Sequence, residues 1–251
     1  MSCHRHSLTD SRHDARSLYR MCGRYVVART LSGTMPDLLA QLPGWPGAYE
    51  NFNIAPTSAV PVILESPNPV TGEIVRHADL VQWGFVAAWK KTVTERPQPI
   101  NARIETIATN GMFRSAFRHH RCIVPATGYY EWKVSADGTK QPFFISAPSG
   151  LAFAGIFEDW TGGGESAFRS MAIITREAVG PARVLHDRLP VMLTPDAYDD
   201  WLGSDLASAQ HATDLVMLAS ARVAETLEFY PVDTRVGNVR NSGPDLITPL
   251  A

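Results

Sequence analysis

The sequence predicts an α+β fold: a single domain built on a curled, mostly antiparallel, barrel-like β-sheet with short flanking helices. Three observations carry this. Runs rich in β-branched and aromatic residues recur through the middle of the chain. Gly, Pro and Asp bound these runs at short spacing. Helical signals are few and brief, so the helices cannot alternate regularly with strands in a parallel arrangement. In chain order the strand-like runs are 23–29, 60–64, 74–83, 121–124, 129–134, 142–147, 152–160 and 168–175. Ser135-Ala136-Asp137-Gly138 and Thr161-Gly162-Gly163-Gly164 read as hairpin turns between neighbours. Helices are expected over 35–42, 112–119 and 194–202. The last opens on Thr194-Pro195-Asp196, a cap followed by proline at the first helical position.

Bulk properties set the outer limits. The chain has 251 residues, 45% hydrophobic and 19% charged, the composition of an ordinary globular protein. No repeat, low-complexity tract or linker divides it, so one domain is expected over 21–251. No apolar run approaches the roughly 20 residues of a membrane helix. The polar N-terminus is unlike a secretory signal. A cytoplasmic protein is expected, nucleoid-associated if bacterial. It is expected to be a monomer, without a membrane role. Cys3, Cys22 and Cys122 are too few for a disulfide framework. They have neither CxxC nor zinc-ligand spacing, so no metal and no cofactor is expected.

Charge is uneven. The formal net is −2, and residues 1–20 hold four arginines against two aspartates, which leaves −4 from Met21 onward. Such a chain does not coat nucleic acid indiscriminately. Yet Arg103, Arg114, Arg118, Arg121, His119 and His120 cluster between 101 and 121 with only Glu105 opposing them. An acidic protein can still hold one basic groove.

Met21-Cys22-Gly23-Arg24-Tyr25 is the most informative segment. If the working chain begins at Cys22, the residue offers a thiol and an α-amine on neighbouring carbons. That amine has an ordinary pKa of about 7.7–8.0, so a minor but useful fraction of it is neutral near pH 7. Together the two groups can trap an aldehyde, first as an imine and then as a five-membered thiazolidine.

Five other segments could supply machinery. Glu131, in Gly128-Tyr129-Tyr130-Glu131-Trp132-Lys133, sits among aromatics that could raise its pKa for acid–base work. Alternatively it is a strand-edge carboxylate paired with Lys133. His186, in His186-Asp187-Arg188-Leu189-Pro190, could shuttle protons, and Arg188 could hold a phosphate. The plainer reading is a surface loop. Asn101, in Asn101-Ala102-Arg103-Ile104-Glu105, could orient an amine or cap a helix. Trp83, Trp89 and Trp132 could stack on bases of single-stranded nucleic acid or fill a core. Asn53-Ile54-Ala55-Pro56-Thr57 reads as a turn able to approach a ligand.

Together, and in this order, these segments resemble the SOS-response-associated peptidase (SRAP) family of abasic-site processing proteins. Arg121-Cys122-Ile123-Val124-Pro125-Ala126, Ala154-Gly155-Ile156-Phe157-Glu158 and Ile173-Ile174-Thr175 extend the likeness, which spans about 21 to 250. Leu189 stands where methionine is usual and Ile104 where alanine is common. The larger departure is the extension before Met21. The resemblance implies covalent capture of abasic sites in single-stranded DNA, with Cys22 as nucleophile and Glu131 as general acid and base. It implies that Asn101 positions the amine and sugar, and that His186 protonates sugar oxygens and supports reversal. Arg24, Arg103 and Arg188 would bind phosphates, while Pro56, Trp83 and Trp132 pack against nucleotides.

Two other classes compete. Cys22, His186 and Glu131 are also the parts of a thiol peptidase, whose activity here could be removal of the protein's own leading residues. A non-catalytic single-stranded DNA module would need only the arginines and tryptophans. Residues 1–20 are expected to be dispensable or misassigned, because they would bury the amine of Cys22 in a peptide bond.

Overall fold

The computed structural model describes residues 22–28, 42–47, 49–162, 168–203 and 208–250. The helix expected over 35–42, the turn at 161–164 and the extension at 1–20 lie wholly or partly outside them.

Among the described residues ten strands form one sheet: β1 (Tyr25–Val27), β2 (Asn51–Ile54), β3 (Ala59–Pro67), β4 (Ile74–Trp83), β5 (Asn101–Arg103), β6 (Arg121–Val134), β7 (Lys140–Trp160), β8 (Phe168–Glu177), β9 (Arg188–Pro190) and β10 (Glu228–Pro231). The order is β10-β7-β8-β4-β3-β6-β1-β2, and β6 also pairs with β7. That extra pairing curls β3, β4, β8, β7 and β6 into a ring. It is not a true barrel, because β3 meets β6 only at Ile63↔Ile123 and β4 meets β8 only at Gln82↔Ser170 and Trp83↔Met171. Only the β4–β8 and β5–β8 pairings are parallel.

Two pairs of expected strands are continuous. Runs 121–124 and 129–134 belong to one 14-residue strand, and 142–147 and 152–160 to one of 21. The Pro and Gly residues between them mark bends rather than ends. The β6–β7 register shifts between Ala126 and Gly128, a bulge that lets the long ribbon bend as the sheet curls. Gly128 is required there: a Cβ would fall 2.4 Å from the Phe144 ring and 2.5 Å from the Ile145 carbonyl oxygen.

Among the described residues four α-helices pack on the outside: α1 (Ile104–Ile107), α2 (Arg114–His119), α3 (Tyr198–Leu202) and α4 (Ala209–Ala224). The expected helix at 194–202 begins as a 3-10 turn, Pro195–Ala197, before α3. The longest helix, α4, was not expected. Its inner face is Ala212, Val216, Ala219, Ser220 and Ala224, too small and mild to give a strong apolar period. Its start is marked by Ser208, whose hydroxyl accepts from the His211 N–H at 3.1 Å.

Strand alternation sorts the core. Tyr25, Val27 and Tyr129 face the ring interior, where Tyr25 meets Trp83 and Phe153 edge-on at 5.3 and 6.1 Å. Val26, Tyr130 and Phe144 face the other way, against Val236 and Leu246 of the C-terminal segment. The helices cover a third cluster through Phe117, Trp201 and Val216. The register Tyr25↔Tyr129 and Val26↔Gly128, continued by a bond from the Tyr130 N–H to the Arg24 carbonyl, lays the residues before β1 beside Glu131.

Candidate functional site

Where β1 begins, a cavity of about 480 Å³ opens to solvent. Cys22, Arg24, Pro56, Glu131, Trp132 and His186 all line it, drawn from four separate stretches of chain. Six of the ten residues singled out by sequence therefore share one wall.

Cys22 is 4% exposed, and its backbone N–H donates to Glu131 Oε1 at 2.6 Å. The amide nitrogen stands where the α-amine of a chain beginning at Cys22 would lie. Glu131 Oε2 also accepts from the Trp132 N–H at 3.3 Å, so its bonds go to Cys22 and Trp132 rather than to Lys133. Burial pushes the Glu131 carboxyl above its ordinary range, opposed by the charge of His186 and by the hydrogen bonds from Cys22 and Trp132. Burial also pushes the Cys22 thiol well up, and the neighbouring Glu131 adds to this while Arg188 opposes it. The thiol is thus held protonated beside a carboxyl that can take or return a proton.

His186 precedes β9 at the cavity wall. Its Nδ1 accepts from the Arg188 N–H at 3.0 Å and lies 2.9 Å from Asp187 Oδ1. The two contacts require opposite protonation. As an acceptor, Nδ1 leaves the ring proton on Nε2; a charged ring would present Nδ1–H to Asp187 instead.

Arg24 is held from two sides. Its guanidinium donates to Asn53 Oδ1 at 2.7 Å and to the carbonyls of Val236 and Gly237 at 2.8 and 3.2 Å. Asn53 also donates to the carbonyls of Val236, Asn238 and Asn241. The expected ligand-approaching turn at 53–57 has two functions here. Asn53 ties the C-terminal segment to the site, and Pro56 lines the cavity.

Four expected residues lie elsewhere. Trp83 is fully buried in the ring interior and its indole N–H donates to the Ile100 carbonyl at 2.9 Å, so it supports the site from the core and offers no stacking surface. Asn101 is in β5, opposite Ile173 of β8, and the helix N-cap is Arg103, so Asn101 caps no helix. Its neighbour Ile100 supplies the cavity wall. Arg103 and Arg188 line a second hollow together with Glu105. There the Arg188 guanidinium is gripped by Glu105 at 2.6 and 2.9 Å and donates to the Thr175 carbonyl at 2.9 Å.

Val134, Lys140 and Gly237 also line the main cavity and were missed. Pairing the two strands around the 135–138 turn would have placed Val134 and Lys140. Gly237 has no local signal, because only the tertiary bonds of Arg24 and Asn53 bring it there. Among the described residues no group of three or more His, Cys, Asp or Glu could hold a metal ion, and no helix is long and apolar enough to cross a membrane.

Known proteins resemble this chain in sequence or in fold. The abasic site processing protein YedK of Escherichia coli (strain K12) is 33% identical over 237 residues, covering 92% of this chain and 100% of that protein. The abasic site processing protein HMCES of Gallus gallus is 29% identical, covering 84% of this chain and 70% of its own length. A crystal structure of a protein from Bacteroides thetaiotaomicron has the same fold, with a TM-score of 0.73 at 20% identity over 92% of this chain and 100% of that one. The family model described as SOS response associated peptidase (SRAP) matches residues 21–239, which take in every wall of the Cys22 cavity, and the chain belongs to that family.

Proposed function

We propose that this chain processes abasic sites in DNA by trapping the ring-opened sugar aldehyde on Cys22, in single-stranded DNA. The observation that carries the proposal is the 2.6 Å bond between the Cys22 nitrogen and the buried Glu131 carboxylate at an open cavity. Relatives named abasic site processing proteins, bacterial and avian, support it.

The chemistry follows from the groups present. With Cys22 at the terminus, its neutral amine adds to the aldehyde carbon and water leaves, giving an imine. Sulfur then attacks the imine carbon. A C–S bond forms, the C=N electron pair moves to nitrogen, and the thiol proton reaches that nitrogen through Glu131. His186, with a proton available on Nε2, donates to a sugar oxygen as the ring opens. Arg24 at the cavity, with Arg103 and Arg188 in the second hollow, sets the field for phosphates.

Backbone conformation supports a terminal cysteine. Cys22 has φ 41°, in the left-handed region. For an L-residue this costs roughly 1–2 kcal/mol. A chain starting at Cys22 has no φ there and no such strain. A thiol peptidase is the weaker reading, since that chemistry needs a thiolate and this thiol is pushed up rather than down.

The test is intact mass after incubating protein that begins at Cys22 with an abasic single-stranded oligonucleotide. The expected adduct has the summed mass less one water, and Cys22→Ala abolishes it. A stable adduct of undiminished yield from Cys22→Ala overturns the proposal.

A further inference from the structure

Two of the three expected phosphate ligands are committed to protein partners. Arg24 is bonded to Asn53 and to two carbonyls, and Arg188 to Glu105 and Thr175. A phosphate reaching either must compete with charge-assisted or multiple bonds already made. One cation on the cavity wall is in a different state. Lys140 is exposed, and it has no ion pair or side-chain hydrogen bond among the described residues.

Its position is fixed by register. Beyond Glu131 the β6–β7 ribbon continues past the ring, with Trp132 opposite Pro142 and Val134 opposite Lys140. Residues two apart on a strand, and residues directly opposed across strands, share a face. Trp132, Val134 and Lys140 therefore stand side by side on one surface of the ribbon, and all three line the Cys22 cavity. Val134 is 53% exposed, an apolar side chain held in solvent at the cavity edge. The acidic residue of the connecting turn, Asp137, accepts from the Thr139 N–H at 2.9 Å and closes its own turn. An indole, a branched aliphatic and an ammonium in a row match one nucleotide: apolar contact for the base or sugar, charge for the phosphate.

We propose that the Trp132–Lys140 ribbon is a guiding arm for the DNA strand, in which Lys140 binds the phosphate next to the lesion and Val134 extends the Trp132 shelf beneath that nucleotide. The inference rests on the abasic-DNA reading of the cavity. It assigns the strand's entry to the hairpin rather than to Arg188.

The experiment is fluorescence anisotropy across a salt series. The probe is a short single-stranded oligonucleotide carrying one tetrahydrofuran abasic analogue, which has no aldehyde and cannot cross-link. Each phosphate contact contributes about 0.7 to the log–log salt slope on single strands. Lys140→Gln is expected to make the slope shallower by about 0.7, which amounts to about fivefold weaker binding per decade of salt below about 1 M. Lys140→Arg keeps the wild-type slope. Lys133→Gln, on the same hairpin but off the cavity wall, also keeps it. An unchanged slope in Lys140→Gln, equal losses in Lys133→Gln and Lys140→Gln, or no binding by the wild type each overturns the arm. Binding intact with no adduct on a natural abasic oligonucleotide would instead overturn the aldehyde capture and leave the arm standing.

Discussion

Glu131 carries two roles that pull against each other. The proposed chemistry asks for a carboxyl that can hold a proton, and burial favours the protonated form by raising the pKa. The fold, however, must then keep a carboxylate away from water at higher pH. A carboxyl raised in the folded state binds its proton more tightly there than in the unfolded chain. Its contribution is most favourable below the ordinary carboxylate range and is lost as pH rises through the folded value. Glu131→Gln removes this dependence while keeping an oxygen for the Cys22 N–H. Thermal melts of both proteins should show the melting temperature of Glu131→Gln rising relative to wild type from pH 4 to pH 8. A constant difference across that range would contradict the raised pKa. The same substitution should slow adduct formation by about 10²–10⁴, the usual cost of removing a placed acid or base. His186→Ala should instead slow mainly ring opening and reversal, which forward and reverse rates measured side by side would reveal. At this scale the residues that meet at the cavity were legible, because Cys22, Glu131 and His186 lie in distinctive local patterns. Trp83 was not, because an indole in a core and an indole under a base look alike in sequence. Arg188 was misplaced for a related reason: its partner Glu105 is 83 residues away.

Elements hold these residues at the right distance, and two turns show how. Ala55–Ser58 is a turn closed by the Ser58 N–H on the Ala55 carbonyl at 3.2 Å, with Pro56 at the cavity and Thr57 at φ 74°. That is the glycine position of a type II turn. A β-branched residue there is strained by roughly 1–2 kcal/mol, partly offset by the greater freedom glycine has when unfolded. Thr57 is exposed and loses no packing on replacement. Thr57→Gly should therefore stabilise the fold by up to about 1 kcal/mol in urea unfolding; a clear loss would mean the turn depends on the threonine side chain. Gly128→Ala should do the opposite. Its Cβ would overlap the Phe144 ring and the Ile145 carbonyl, costing about 3 kcal/mol or more and displacing Glu131 three residues on. Equal unfolding midpoints for Gly128→Ala and wild type would contradict the packing at the bulge. The strand runs themselves were legible, and 74–83 matches β4 at both ends. The continuity of β6 and β7 was not, because a bulge and a strand end carry the same Gly and Pro signals.

On the scale of the whole molecule, the ring of strands serves to hold the segment before β1 against Glu131 while the C-terminal segment closes over Arg24 and Asn53. Sequence could show the α+β class and the curl. It could not show that residues near 24, 53 and 237 meet, since no local pattern links them. The charge of −4 beyond Met21 bears on the substrate. A chain of that sign grips duplex weakly, so binding must come from a few local contacts. Abasic single strands should cross-link faster than the same lesion in intact duplex, measured by adduct yield over time; equal rates would contradict a cavity served by a guiding arm.

The central claim is that Cys22 reacts through its own α-amine as well as its sulfur. Intact mass of three preparations, each incubated with the same abasic oligonucleotide, tests it directly: a chain beginning at Cys22, that chain with its amine acetylated, and a chain still carrying residues 1–20. The summed mass less one water is expected for the first alone. The same stable adduct, formed at the same rate by the acetylated chain or by the extended chain, would contradict it.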